Sequence, residues 1–224
     1  MGDHVDRVIA LVHSPLTGSS VWRRTARELE RRGETVVVPS LAGASEGGWR
    51  SVVAAARASL VNDAPVTIAG HSNSGLLLPS IADGLSDARL LFVDAGIPPG
   101  NGVVPLADTE FLTFVRGLAK DGRLPPWSRW WGEGAMREVV PDEAARREIE
   151  ADMPTVPLAY LEGAAEAPPG WERRRCAYLR FSEPYLVAEN EARARGWPTA
   201  VVRGSHLQLV VDPVAVADAI IRLA

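Results

Sequence analysis

The chain has 224 residues, is 46% hydrophobic and carries a formal net charge of −4, which is typical of a soluble, single-domain protein. It shows neither a signal-peptide pattern nor an apolar run long enough to span a membrane, so we expect a cytoplasmic protein without a membrane partner. Lys120 is its only lysine, and its arginines are interspersed with acidic residues, which argues against a nucleic-acid partner. A lone cysteine, Cys176, excludes a disulfide scaffold and is expected to be inert core packing.

Short apolar, β-branched runs predict six strands, at residues 7–13, 35–39, 66–70, 89–94, 176–181 and 199–203. Helical patterns at 21–32, 49–60 and 76–85 separate the first four of these strands. Such alternation is what parallel βαβ units require. A final amphipathic helix is predicted at 212–222, with Asp at the N-cap and Pro at the first helical position. The pattern therefore predicts an α/β fold with a mostly parallel sheet and helices on both faces.

The third predicted strand runs through a short polar turn into an apolar helix, and the turn reads Gly70-His71-Ser72-Asn73-Ser74. Small residues two positions before and after Ser72 permit the sharp bend of a nucleophile elbow, although Gly is more usual than Ser at the second position. The bend would expose the Ser72 hydroxyl and place the Asn73 N–H at a helix N-terminus, where it can stabilise an oxyanion. An ordinary strand–Gly–helix turn in which Ser72 caps the helix would use the same residues.

A histidine follows the last predicted strand, where a catalytic base could lie. His206 sits on the loop between that strand and the final helix, at the carboxyl end of the sheet. His71 adjoins Ser72, but its side chain should point away from the serine and pack or hydrogen-bond near the elbow. We therefore predict His206 as the general base.

The elbow, the late histidine and the order of strands and helices resemble the α/β-hydrolase superfamily over nearly the whole chain. The resemblance implies a three-layer α/β/α sandwich with a mostly parallel sheet and a helical cap. Because the chain is short, we expect the two amino-terminal strands common in the family to be missing. The resemblance implies a core formed by residues 1–97 and 176–224. Protein side chains carry the chemistry of such enzymes, so we expect no cofactor and no metal.

The same resemblance implies that residues 98–175 form the cap, because the superfamily carries its cap between the corresponding strands. This stretch is rich in Pro, Gly and Trp, with helix candidates at 108–118, 141–151 and 158–165. Its tryptophans could line an apolar substrate pocket or simply bury the cap against the sheet; they are Trp127, Trp130, Trp131 and Trp171.

Two acidic residues are candidates for the third member of a Ser-His-acid triad. The family most often places this acid after the penultimate strand, but Pro184 occupies that position here and Glu183 is only adjacent to it. The other family placement follows the preceding core strand, and Asp94 matches it. We predict Asp94, with Glu183 as the alternative; Asp94 could also simply bind loop N–H groups. The acid would orient His206 and stabilise its imidazolium form.

One departure from the family concerns the second oxyanion donor, which normally follows the first strand. Pro15 occupies the donor position and has no N–H. The Leu16 N–H, or the Ser14 or Thr17 hydroxyl, could substitute if the loop is shifted. Loss of one donor typically lowers turnover by about a hundredfold to a thousandfold.

Two function classes follow from these residues. The first is a serine hydrolase that acts on an ester, thioester or related carbonyl compound, with an apolar or partly apolar small-molecule substrate. The alternative is a non-hydrolytic protein of the same fold, either a lyase, cyclase or epimerase of small-molecule biosynthesis or a ligand-binding protein. Ser72 with His206 favours the first, whereas Pro15, Ser74 and the displaced acid favour the second. The chain could also form a homodimer, which these residues neither require nor exclude.

Overall fold

The computed structural model describes residues 7–60 and 65–224, so positions 1–6 and 61–64 of the predicted core lie outside it. The strands are β1 Val8–Val12, β2 Thr35–Val37, β3 Val66–His71, β4 Ala88–Val93, β5 Gly102–Pro105, β6 Arg123–Leu124, β7 Val156–Pro157, β8 Ala164–Ala167, β9 Cys176–Arg180 and β10 Thr199–Val201. The α-helices are α1 Ser20–Arg31, α2 Gly48–Arg57, α3 Leu78–Ile81, α4 Thr109–Leu118, α5 Ala135–Val139, α6 Glu143–Ala151, α7 Leu158–Glu162, α8 Leu186–Ala194, α9 Gln208–Val211 and α10 Pro213–Leu223.

The six strands predicted from the sequence form one parallel sheet in the order β10-β9-β4-β3-β1-β2. Each lies where the apolar pattern places it, with ends displaced by at most a few residues. The helix predicted at 76–85 is shorter: the chain forms a 3-10 helix at Ser72–Leu77 and an α-helix only at Leu78–Ile81. It stops before Gly84, whose left-handed φ of 77° ends the segment.

Alternate residues of the central strands face two separate apolar layers, as the two-residue period of a strand requires. In β1, Ala10 and Val12 pack with α2 and α3 on one face. Ile9 and Leu11 pack with α1 and α10 on the other. Both faces of the sheet are therefore covered, and the strands read as continuous apolar runs because nearly all their side chains are buried.

The segment 98–175 contains the three predicted helices, together with the helix α5 and two small sheets that the prediction lacked. Asp108 and Asp142 cap α4 and α6 by accepting the backbone N–H three residues further on. Two small antiparallel sheets pair β5 with β8 and β6 with β7. The helix predicted to reach residue 165 was wrong at its end, because from Ala164 the backbone pairs with β5 instead. We call residues 98–175 the insertion.

Parallel strands bring their carboxyl ends to one edge of the sheet, where ligand sites of open α/β sheets lie. Here that edge collects the residues following β1, β3, β4, β9 and β10. Within the described ranges, no helix has the length and apolarity needed to cross a membrane.

Candidate active site

Ser72 follows β3 in a left-handed conformation, with φ of 60°. This strained backbone is uncommon for a residue other than glycine and is found preferentially at functional sites. The bend requires close backbone approach on both sides. A Cβ on Gly70 would lie 2.8 Å from the Leu78 side chain, and a Cβ on Gly75 would lie 2.6 Å from that of Ala95. The structure therefore contains the sharp strand-to-helix turn predicted at Ser72.

Ser74 occupies the position where glycine is more usual. It is fully buried, and its hydroxyl lies 3.0 Å from the Val12 carbonyl and 2.8 Å from the His71 carbonyl. Serine fits because the hydroxyl is small and finds acceptors in the turn itself and in the neighbouring strand β1. The departure from the family pattern therefore leaves the elbow geometry intact.

Asp94 lies at the end of β4, is fully buried and has a φ of 44°. One carboxylate oxygen accepts the N–H groups of Phe181 and Ser182 at 2.8 and 2.9 Å. The other accepts the Ser182 hydroxyl at 2.6 Å and His206 Nδ1–H at 2.7 Å. Burial alone would raise the pKa of Asp94, but the hydrogen bonds from His206 and Ser182 outweigh it and hold that pKa below its ordinary value.

The contact with Asp94 sets the tautomer of His206. An ionised carboxylate can only accept, so Nδ1 carries the proton and Nε2 is left as the basic nitrogen. The alternative acid is placed differently: Glu183 has an 80% exposed side chain and accepts a hydrogen bond from Arg180 at 3.2 Å. The structure thus brings Asp94, and not Glu183, to His206.

Tyr178 supports the turn that carries Asp94, a role that sequence reasoning missed. Its hydroxyl donates to the Ala95 carbonyl at 2.7 Å and accepts the Ala95 N–H at 3.1 Å. The N–H and the carbonyl of Ala95, the residue after Asp94, are therefore both hydrogen-bonded to the fully buried Tyr178 side chain. A tyrosine in an apolar strand does not by itself predict this role. Its contact with Ala95 arises only from the pairing of β4 with β9.

His71 contacts the loop that carries His206. His71 Nε2–H donates to the His206 carbonyl at 2.9 Å, and the two imidazole rings lie 4.5 Å apart. Burial, reinforced by the nearby His206, lowers the pKa of His71 to about 3. His71 is therefore a neutral hydrogen-bond donor near the elbow, the position its sequence context predicts.

Acidification should destabilise the protein through His71. Its folded pKa of about 3 lies below the unfolded value of 6.5, so the unfolded state gains the proton first and stability is lost as the pH falls from about 6.5 towards 3. Between pH 7 and pH 5 we expect the free energy of unfolding to fall by about 2 kcal/mol from this group. Urea unfolding at both pH values measures the change. His71→Gln should show a smaller change even if it is less stable at pH 7, and an equal change in both proteins would contradict the assignment.

Asn73 connects the elbow to the insertion through its side chain. Its amide group donates to the Leu106 carbonyl at 2.7 Å, and its carbonyl oxygen accepts the Tyr160 hydroxyl at 2.8 Å. The backbone N–H of Asn73 lies at the start of the 3-10 helix that begins at Ser72. Because the side chain is fixed by two partners from the insertion, that N–H is held in a constant position beside Ser72.

The loop after β1 is a tight turn from Ser14 to Thr17, closed by a 3.0 Å hydrogen bond from the Thr17 N–H to the Ser14 carbonyl. Pro15 is the second residue of this turn, a position that its fixed φ favours. The Leu16 N–H donates to the Ser14 hydroxyl at 3.2 Å. The backbone donor considered at Leu16 is therefore engaged within the turn, and so is the hydroxyl of Thr17, which donates to the Ser14 carbonyl.

A cavity of about 690 Å³ lies over Ser72 and His206. Most of its lining is apolar or aromatic; the lining residues are Leu16, Ser72, Asn73, Leu76, Gly96, Pro105, Leu106, Ala107, Asp108, Phe111, Trp127, Trp131, Ser182, Pro184, Tyr185 and His206. The four tryptophans of the insertion divide into two pairs. Trp127 and Trp131 line the cavity, whereas Trp130 and Trp171 are buried and donate their indole N–H to backbone carbonyls.

Tyr185 is a cavity residue whose role sequence reasoning missed. Its ring stacks on the His206 imidazole, with centroids 5.1 Å apart and planes inclined by 9°. Burial raises the pKa of Tyr185 to about 12, although the nearby Ser72 side chain acts in the opposite direction. The hydroxyl therefore stays protonated at neutral pH. No sequence pattern distinguishes this tyrosine, because only the packed loop brings it to Ser72.

The fold matches solved structures over nearly its whole length. An extracellular α/β-hydrolase from a Paenibacillus species, described as sharing structural and functional homology with tobacco salicylic acid binding protein 2, superposes with a TM-score of 0.73 at 19% identity, covering 97% of this chain and 98% of its own. Polyneuridine aldehyde esterase superposes with a TM-score of 0.71 at 16% identity, covering 97% of this chain and 98% of its own. The chain has the α/β-hydrolase fold.

Another protein with the α/β-hydrolase fold, tomato methylketone synthase I, superposes with a TM-score of 0.65 at 11% identity over 97% of each chain. No protein-family model matches the sequence, and no curated protein matches it. Within residues 7–60 and 65–224, no group of three His, Cys, Asp or Glu side chains is arranged to hold a metal ion. The polar groups gathered at the cavity are hydroxyl, imidazole, carboxylate and amide groups.

Proposed function

We propose that this protein is a serine hydrolase that cleaves an ester, thioester or related carbonyl bond in an apolar small molecule. The observation that carries the proposal is the 2.7 Å contact between His206 Nδ1 and the buried Asp94 carboxylate, at a cavity that Ser72 also lines. A nucleophile, an oriented base and an acid partner are the components of nucleophilic acyl transfer.

In this mechanism, His206 Nε2 takes the Ser72 proton as Oγ attacks the substrate carbonyl carbon. The negative charge on the carbonyl oxygen is stabilised by the Asn73 N–H. Asp94 keeps the imidazole oriented and stabilises its protonated form. His206 then gives the proton to the leaving-group oxygen or sulfur as the bond to it breaks. Water, activated by His206, releases the acyl group from Ser72 by the reverse sequence.

The cavity favours a neutral, apolar substrate. Among the described residues that line it, there is no lysine or arginine, and the carboxylate of Asp108 is already bonded to the Phe111 N–H at 2.7 Å. An anionic substrate would therefore lose its hydration without gaining a counter-charge. Aromatic walls from Phe111, Trp127 and Trp131 suit an alkyl or aryl group. We expect the insertion to serve as the cap over this substrate.

A fluorophosphonate probe tests the proposal, because it labels a serine only when the hydroxyl is activated. We expect one label on the unmodified protein, at Ser72. Labelling should disappear in Ser72→Ala and persist in Ser86→Ala, which removes a serine from the exposed surface. Absence of labelling, or labelling that survives in Ser72→Ala, would contradict a serine hydrolase.

Pro15→Ala is expected to raise hydrolysis of a generic activated ester such as p-nitrophenyl butyrate. The change restores a backbone N–H at the usual position of the second oxyanion donor, and a well-placed donor is worth about a hundredfold or more; we expect a gain of about tenfold, since the turn is not optimised for it. Steady-state kinetics measures the gain. It should vanish in Pro15→Ala combined with Ser72→Ala, and an unchanged or lower rate in the single variant would show that this position does not face the oxyanion.

The alternative is a non-hydrolytic reaction, which the Ser14–Thr17 turn favours. Pro15 provides no N–H and the Leu16 N–H is engaged, so the oxyanion is left with weaker stabilisation than a hydrolase normally provides. A lyase, cyclase or epimerase would use His206 for proton transfer and would need no acyl-serine. Such a protein would lose activity in His206→Ala but would keep it in Ser72→Ala.

A further inference from the structure

Tyr185 lines the cavity at the end where Ser72 and His206 lie. Its ring is stacked on the His206 imidazole, with ring centroids 5.1 Å apart and planes inclined by 9°, and its side chain lines the same cavity as Ser72. It follows β9 in the 3-10 helix Glu183–Tyr185, a separate element from those carrying Ser72 and His206. A hydroxyl within reach of the nucleophile is also within reach of groups that become attached beside it.

The order of strands decides which side of Ser72 this hydroxyl occupies. β1, whose loop carries Pro15, lies on one side of β3, whereas β4, β9 and β10 lie on the other. The oxyanion is expected on the β1 side, where the family places its second donor. Tyr185 and His206 are both on the opposite side. Tyr185 therefore does not replace the donor lost at Pro15.

The leaving group must lie on the His206 side, because His206 returns the proton to it. In the tetrahedral intermediate, the leaving oxygen is bonded to the same carbon as Ser72 Oγ and faces His206 Nε2. The Tyr185 ring is stacked on that imidazole, and its side chain lines the cavity beside Ser72. It is thus placed to contact the leaving oxygen once Ser72 Oγ is bound to carbon.

We propose that Tyr185 is a catalytic residue that donates a hydrogen bond to the leaving-group oxygen. This role rests on the serine-hydrolase function proposed above and adds a residue to its mechanism. As the bond between the carbonyl carbon and the leaving oxygen breaks, its electron pair moves to that oxygen. His206 supplies the proton that neutralises it. Tyr185 keeps its own proton throughout and only stabilises the developing negative charge on the leaving oxygen. Its stacked ring fixes the orientation of the His206 imidazole.

The test compares two esters with the same acyl group, p-nitrophenyl hexanoate and ethyl hexanoate. Nitrophenolate needs little help to leave, whereas ethoxide develops a strong negative charge. In Tyr185→Phe, which retains the ring, we expect kcat/KM for the ethyl ester to fall about tenfold to a hundredfold, the worth of a hydrogen bond to a charged group. The nitrophenyl ester should change by about twofold at most. Tyr185→Leu, which also removes the ring, should lower both rates.

A merely structural role would not produce dependence on the leaving group. Equal losses on the two esters in Tyr185→Phe, or no loss on either, would overturn the role of the hydroxyl. Fluorophosphonate labelling separates this failure from that of the parent proposal: Tyr185→Phe should still be labelled at Ser72, showing that Ser72 and His206 still work together. If the unmodified protein cleaved neither ester and took up no label, the hydrolase function and this role of Tyr185 would both be wrong.

Discussion

Ser72→Ala and His206→Ala are each expected to lower kcat/KM for a cleavable ester by about a thousandfold or more. Removing Ser72 removes the atom that forms the acyl intermediate, and removing His206 leaves that atom without a base. The double variant should be about as impaired as either single one, because the two groups act as one proton-transfer unit. Both variants should fold, since each side chain is only partly buried, on a loop above the sheet.

Steady-state kinetics with p-nitrophenyl hexanoate, together with thermal unfolding of each variant, measures this effect. Ser86→Ala provides the control, because it makes the same chemical change at an exposed position. Loss of activity in His206→Ala with near-normal activity in Ser72→Ala would favour the non-hydrolytic alternative. Additive losses in the double variant would mean that the two residues do not share one step.

Asp94→Asn should be the next most severe change, with kcat lowered by about a thousandfold to ten-thousandfold. A neutral amide can donate to the His206 ring and stabilise the wrong tautomer, and it cannot stabilise the imidazolium. The carboxylate also accepts two backbone N–H groups and the Ser182 hydroxyl, so some loss of stability should accompany the loss of rate.

Glu183→Gln is the matched control for Asp94→Asn, because it makes the same acid-to-amide change on the neighbouring loop. Its side chain is 80% exposed and contacts Arg180, so the change should alter kcat by about twofold at most, as solvent screens such a pair. Comparable losses from the two substitutions, measured on one ester at one pH, would show that the acid has been assigned to the wrong residue.

The sequence by itself predicted the strands of the sheet and the nucleophile elbow. Apolar runs of strand length alternating with helical patterns predicted the six parallel strands, because both periodicities are local properties of the backbone. The small residues around Ser72 likewise predicted a sharp bend, since the steric requirement spans only a few positions. The position of His206 after the last strand followed from the same local reading.

Residues between which the sequence left a choice were separated by tertiary structure. Asp94 and Glu183 both follow strands, and composition does not distinguish them. The pairing of β4 with β9 places Asp94 against the Phe181–Ser182 backbone and within hydrogen-bond distance of His206. Glu183 lies in the 3-10 helix Glu183–Tyr185, where its side chain faces solvent. The end of α7 was settled similarly, because pairing between β5 and β8 satisfied backbone groups that the predicted helix would have used.

Contacts between distant segments were invisible in the sequence. Tyr178, Tyr185 and Asn73 bind partners that lie far away along the chain or in another element, and no local pattern encodes a partner. Even the Leu16 N–H could not be assigned in advance, because its hydrogen bond to Ser14 depends on how the turn closes. Local sequence determines where strands, helices and bends begin, but the side chains that meet at the cavity are decided by which strand ends the packed sheet places side by side.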